Sequence, residues 1–99
     1  MNPSEAFDQA VALFEQGRHD EAEQVCLALF RQHPRHAPTF ELMGSLRQAQ
    51  RRYADAEHCF RHALTIDPNH PEAVFNLGNL LMILGRSAEA LPYLSLIHI

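Results

Sequence analysis

The chain has 99 residues, 46% hydrophobic and 20% charged, which is one domain at most. Its net charge of −4 comes with no basic stripe, so nucleic acid is not an expected partner. No run approaches the ~18 apolar residues of a membrane span, and the opening MNPSEAFDQA lacks the basic and apolar regions of a secretory leader. A cytoplasmic protein with no membrane partner is expected.

The first predicted helix opens well at Asn2-Pro3-Ser4-Glu5: Asn2 caps, Pro3 takes the first helical position, and Glu5 completes a capping-box spacing. Ala6, Ala10 and Leu13 recur at helical spacing until Gly17 ends the run. A second helix begins near His19-Asp20, with Asp20, Glu21 and Glu23 suited to the positive end of a helix dipole. Its inner face is Ala22, Val25, Cys26, Leu29 and Phe30, and His33-Pro34 closes it. The next pair repeats the plan. Phe40, Met43, Gly44 and Leu46 form one face, then Ala56, Phe60, Ala63 and Leu64 form the other, ending at Asp67-Pro68. Val74, Leu77, Gly78 and Leu81 make a fifth helix, followed by a turn at Gly85-Arg86 and a last segment with Ala90 and Pro92.

These elements recur with a period of 34 residues, which aligns Ala22 with Ala56 and Ala90, Gly44 with Gly78, and Pro34 with Pro68. A fixed period of that length marks stacked repeats, each burying its apolar face against its neighbours. Three units follow: 3–36, 37–70 and an incomplete 71–99. Gly44 and Gly78 each weaken a helix by about 1 kcal/mol relative to Ala. Their retention predicts close approach of the second helix in the same unit.

The pattern resembles the tetratricopeptide repeat. Unit two carries Phe40, Met43-Gly44, Ala56, Phe60, Ala63 and Pro68 at the signature positions, with Arg47 departing from the large apolar residue expected there. Unit three matches at Val74, Leu77-Gly78, Leu81, Ala90 and Leu94, and unit one more weakly at Ala10, Leu13, Ala22 and Pro34. The resemblance spans the chain and implies an all-α solenoid of about three helix-turn-helix repeats in a right-handed superhelix, with the last repeat truncated.

It further implies a concave groove, lined by the first helix of each unit, that holds a protein or peptide ligand. The corresponding positions are Ser4, Phe7, Asp8, Val11, Phe14 and Glu15, then Pro38, Glu41, Leu42, Ser45, Gln48 and Ala49, then Glu72, Phe75, Asn76, Asn79, Met82 and Ile83. Those singled out as groove residues are Phe7, Val11, Phe14, Glu41, Leu42, Ser45, Phe75, Asn76, Asn79 and Met82. Phe14 and Met82 read equally as ordinary packing. Relatives that grip acidic chaperone tails place Lys or Arg in the groove. Here those places hold Phe7, Val11, Leu42, Glu72 and Asn76, so no such clamp is expected. Asn76 and Asn79 resemble the groove asparagines of O-linked N-acetylglucosamine transferases, where an amide pairs with peptide backbone. They read equally well as solvated surface residues.

No nucleophile–base pair, phosphate loop or paired carboxylates appear, so neither catalysis nor a cofactor is expected within the chain. His58 and His62 have the four-residue spacing of metal ligands, but two ligands do not make a site, and no metal is assigned. Cys26 and Cys59 are read as free thiols. The ending Leu94-Ser95-Leu96-Ile97-His98-Ile99 is what the end sequence of a transposon-based sequencing adapter would encode, so residues 94–99 are expected to be a non-native tail on a fragment of a longer protein. An interaction scaffold is the leading functional reading. Its alternative is the N-terminal, substrate-presenting region of a larger enzyme such as a glycosyltransferase or sulfotransferase. Self-association through the uncapped third unit is a further expectation.

Overall fold

The computed structural model describes residues 2–97, with side chains through residue 95. Among the described residues, six helices run in three antiparallel hairpins: α1 (Pro3–Glu15) with α2 (His19–Gln32), α3 (Ala37–Ala49) with α4 (Tyr53–Ile66), and α5 (Pro71–Ile83) with α6 (Ser87–Ile97). The predicted helix starts hold. Asn2 Oδ1 accepts from the Glu5 backbone N–H at 2.8 Å, and a proline occupies the first turn of α1, α3 and α5. Arg18, Arg52 and Arg86 stand at the starts of α2, α4 and α6. Each pairs with the acid three residues on, Glu21 (2.6 Å), Asp55 (2.7 Å) and Glu89 (2.7 Å).

The hairpins are set by small residues. Ala22, Ala56 and Ala90 are fully buried at the crossings. A Cβ on Gly44 would lie 2.5 Å from Cε1 of Phe60, and one on Gly78 would lie 2.7 Å from Cδ2 of Leu94. Leu94, within the ending read as a non-native tail, thus takes the place that Phe60 holds one repeat earlier. His98 and Ile99 lie outside the described residues. The core falls into two clusters along the stack. One cluster centres on Ala10, Ala22, Cys26, Met43 and Leu46, the other on Phe60, Leu77, Leu80 and Leu81.

The first helices approach closely in a row, α1 on α3 and α3 on α5, whereas among the described residues the backbones of α2, α4 and α6 stand further apart, α4 meeting α6 through side chains such as Arg61 and Tyr93. A row joined along one side and splayed along the other must bend. The first helices therefore line its inner face, and the body is elongated, 40 × 25 × 21 Å.

The departing residue, Arg47, is accommodated by an ion pair. At the site that Leu13 and Leu81 fill in the other units, it reaches across to Glu23 on α2, both side chains being largely buried. A second ionic cluster joins the last two units. Glu57 on α4 accepts from Arg86 at 2.6 and 3.1 Å and from Arg61 at 3.0 Å, and Arg61 also donates to the Tyr93 hydroxyl at 3.0 Å.

Candidate functional site: an apolar groove on the inner face

Helical spacing places Phe7, Val11 and Phe14 on one stripe of α1, and Pro38, Glu41, Leu42 and Ser45 on the facing stripe of α3. Together with Glu15, His70 and Glu72 they line a groove of about 520 Å³. Its floor is apolar. Leu42 is buried, while Phe7, Val11 and Phe14 are half-buried, so each keeps surface open to a ligand. Phe7 meets the His36 ring edge-on at 5.6 Å and Phe14 stacks on His19 at 5.0 Å, contacts that hold both rings in place. Towards the third unit the groove continues into a more polar depression of about 380 Å³, lined by Phe14, Ser45, Gln48, Ala49, Tyr53 and Asn76.

Seven of the ten groove residues expected from sequence are therefore gathered on one connected surface: Phe7, Val11, Phe14, Glu41, Leu42, Ser45 and Asn76. Asn79 and Met82 lie further along α5, and neither they nor Phe75, between Glu72 and Asn76, line these two depressions. Phe75 and Met82 are about half exposed, 47% and 48%. Phe14, open to both groove and packing readings, lines both depressions and also packs against the first core cluster.

Electrostatics mark one wall. The Asn76 amide donates to Glu41 Oε1 at 2.8 Å, bridging α5 to α3. Burial, reinforced by the neighbouring Glu72 carboxylate, pushes the Glu41 carboxyl up to about 7 despite that bond. His70 caps α5 with Nδ1 3.4 Å from Glu72 Oε2, while its Nε2 is buried without a hydrogen-bond partner among the described residues. His70, absent from the groove residues expected from sequence, is thus part of the groove wall. The available signal was its equivalence to His36, the residue that meets Phe7.

The other candidate chemistry sits elsewhere. His58 and His62 are exposed with ring centroids 6.4 Å apart, and the His62 ring lies 4.2 Å from that of Phe40. Burial raises the Cys26 thiol to about 12, which leaves it protonated and unreactive at neutral pH. Burial likewise raises Cys59. Among the described residues no group of three or more His, Cys, Asp or Glu is placed to hold a metal ion, and no helix is long and apolar enough to cross a membrane.

Three helical hairpins in register around a shared inner face define an α-solenoid scaffold of the helix-turn-helix class. The profile of the tetratricopeptide repeat family matches residues 5–37 and 42–97, and the chain belongs to that family. It is 30% identical over 89 residues to the probable biofilm formation methyltransferase WspC of Pseudomonas aeruginosa. That match covers 90% of this chain but 21% of WspC, so the chain spans about a fifth of that relative's length. Among solved structures, the type III secretion translocator chaperone SycD of Yersinia enterocolitica superposes with a TM-score of 0.82 at 26% identity, over 94% of this chain and 64% of SycD. SycD in complex with a peptide of the translocator YopD gives the same TM-score, with 71% of that chain covered. A MamA mutant at 20% identity, TM-score 0.76 and coverage of 95% of this chain and 52% of its own, shares the fold.

Proposed function

We propose that the chain is a protein-interaction scaffold that holds a peptide or partner helix in the groove between α1 and α3. The observation that carries this reading is the apolar floor of half-buried Phe7, Val11 and Phe14 beside buried Leu42, open on the inner face of the stack. Contiguous apolar surface of this kind, rimmed by polar residues, is characteristic of recognition sites. The likeness to SycD, solved with a translocator peptide, supports the same reading. Seating apolar side chains on this floor removes both surfaces from water, and the polar side chains of Ser45 and Asn76 at its rim offer hydrogen-bonding groups to a peptide backbone.

An arrayed library of amphipathic peptides tests the reading. Wild-type protein is expected to retain a subset, and Val11→Asp to weaken every retained member by about tenfold or more with helix content unchanged. Retention unaffected by Val11→Asp would contradict it.

A second reading, in which these repeats present protein substrates to a catalytic domain of a longer enzyme, is favoured by the match to about a fifth of a protein named as a methyltransferase. A catalytic domain encoded in the same full-length reading frame is the result it predicts. A frame that encodes only further repeats would contradict it.

A further inference from the structure

The groove carries a charge pattern that its apolar floor does not require. Its lining holds three carboxylates, Glu15, Glu41 and Glu72, and no Lys or Arg. Glu72 lies 3.4 Å from Nδ1 of His70, whose buried Nε2 has no hydrogen-bond partner among the described residues. Of the three carboxylates, Glu41 is the least exposed. One of its oxygens takes the Asn76 amide, and the other has no hydrogen-bond partner among the described residues. Elsewhere the protein pairs its enclosed carboxylates with arginine, Glu23 with Arg47 and Glu57 with Arg86 and Arg61. Glu41 is an enclosed carboxylate for which the described residues supply an amide and no Lys or Arg.

We propose that Glu41 is a specificity residue, and that the groove selects an amphipathic peptide whose Lys or Arg side chain reaches Glu41 while flanking apolar side chains cover Phe7, Val11, Phe14 and Leu42. The inference rests on the peptide-binding reading above and adds the charge of the partner. Charge complementarity carries it: a cation arriving at Glu41 gives the carboxylate the partner that Arg47 and Arg86 give to Glu23 and Glu57. A peptide with an acid at that place meets three carboxylates in a partly desolvated cleft and is rejected.

Burial keeps Glu41 protonated through part of the neutral range, with a value of about 7, so cation binding strengthens as pH rises through that value. The groups facing Glu41 are Glu15 of α1, Cys26 of α2, and His70, Glu72 and Asn76 at α5. The Cys26 thiol, raised to about 12, stays neutral across the range.

The test uses triplets of synthetic amphipathic peptides, matched in apolar content and differing only in a central Lys, Gln or Glu, with affinities measured at about pH 6 and about pH 8. At the higher pH the Lys member is expected to bind about tenfold tighter than the Gln member, and the Glu member weaker than both. The Lys preference is expected to shrink at the lower pH and to collapse in Glu41→Gln, which keeps an acceptor for Asn76. Should that variant fold poorly, the pH dependence of the wild-type preference decides alone. Equal binding of all three peptides would overturn the charge selection while leaving the groove reading intact. Binding of none would overturn both.

Discussion

Phe60 lies so close over Gly44 that a Cβ there would stand 2.5 Å from its Cε1 and 2.6 Å from its Cδ1. This contact, repeated by Leu94 on Gly78, fixes how closely the two helices of a hairpin cross. In an exposed helix Gly→Ala stabilises by about 1 kcal/mol. Here the added methyl group must displace a fully buried ring, an overpacking worth about 1–3 kcal/mol. Gly44→Ala is therefore expected to lower stability by about 1 kcal/mol in urea unfolding. Gly78→Ala is expected to lower it less, because a leucine side chain yields more readily than a phenyl ring. A rise in stability for Gly44→Ala would contradict the crossing geometry.

The turns within the hairpins put one residue per repeat in the left-handed backbone region. Gly17 (φ +78°) and Gly85 (φ +76°) serve units one and three, and Arg51 (φ 61°) serves unit two. Nothing crowds a Cβ at either glycine, so the requirement is the backbone conformation itself. A side chain there carries about 1 kcal/mol of strain, partly offset by glycine's greater freedom in the unfolded chain. Arg51→Gly is expected to raise stability by about 0.5 kcal/mol, read as a higher thermal midpoint. A lower midpoint would show that Arg51 makes contacts outweighing its strain.

Glu41 gives the protein a pH dependence of unusual sign. Burial, with Glu72 beside it, raises its carboxyl from 4.5 to about 7. The folded state therefore binds the proton more tightly than the unfolded chain, and stability falls as pH rises between those values. A rise of that size corresponds to roughly 3 kcal/mol at most. Glu41→Gln is expected to be more stable than wild type near pH 8 and equal to it near pH 4. An equal or lower unfolding midpoint for the variant at the higher pH would contradict the burial of this charge. The same ionised carboxylate is what a partner's cation would meet.

Glu57 titrates in the opposite sense. Its hydrogen bonds with Arg86, and then Arg61, hold its carboxyl below the usual range. The stability it adds is present above its unfolded value of 4.5 and is lost as pH falls through its lower folded value. Glu57→Gln is expected to cost about 1 kcal/mol at neutral pH, with the gap from wild type narrowing as pH falls below the unfolded value of 4.5. A gap independent of pH would assign the loss to packing and not to the ion pairs.

The period made the hairpins, the crossings at Gly44 and Gly78, and the inner stripe of α1 and α3 legible from sequence, because each depends on residue size at a fixed spacing. It also contained a signal that was not used: residue 51 stands where Gly17 and Gly85 stand, which is enough to expect a left-handed arginine. The Arg47–Glu23 and Arg86–Glu57 pairs were not legible. They join residues 24 and 29 positions apart through side-chain paths that no local pattern encodes. The Glu41–Asn76 bond, spanning 35 positions, was hidden in the same way, so two residues expected to face a ligand separately turned out to hold each other. Met82 satisfied the groove spacing yet lies beyond the two depressions, because spacing places a residue on the inner stripe without saying where along it the cleft closes; Phe75, between Glu72 and Asn76, lines neither depression.

Backbone amide NMR shifts, followed while the labelled chain is titrated with a Lys-bearing amphipathic peptide, test the groove most directly. The largest changes are expected at Phe7, Val11, Phe14, Leu42 and Ser45, with smaller changes at Asn76. Changes confined to the separate depression between α1 and α2, lined by Ala6, Gln24, Val25 and Ala28, would contradict the account.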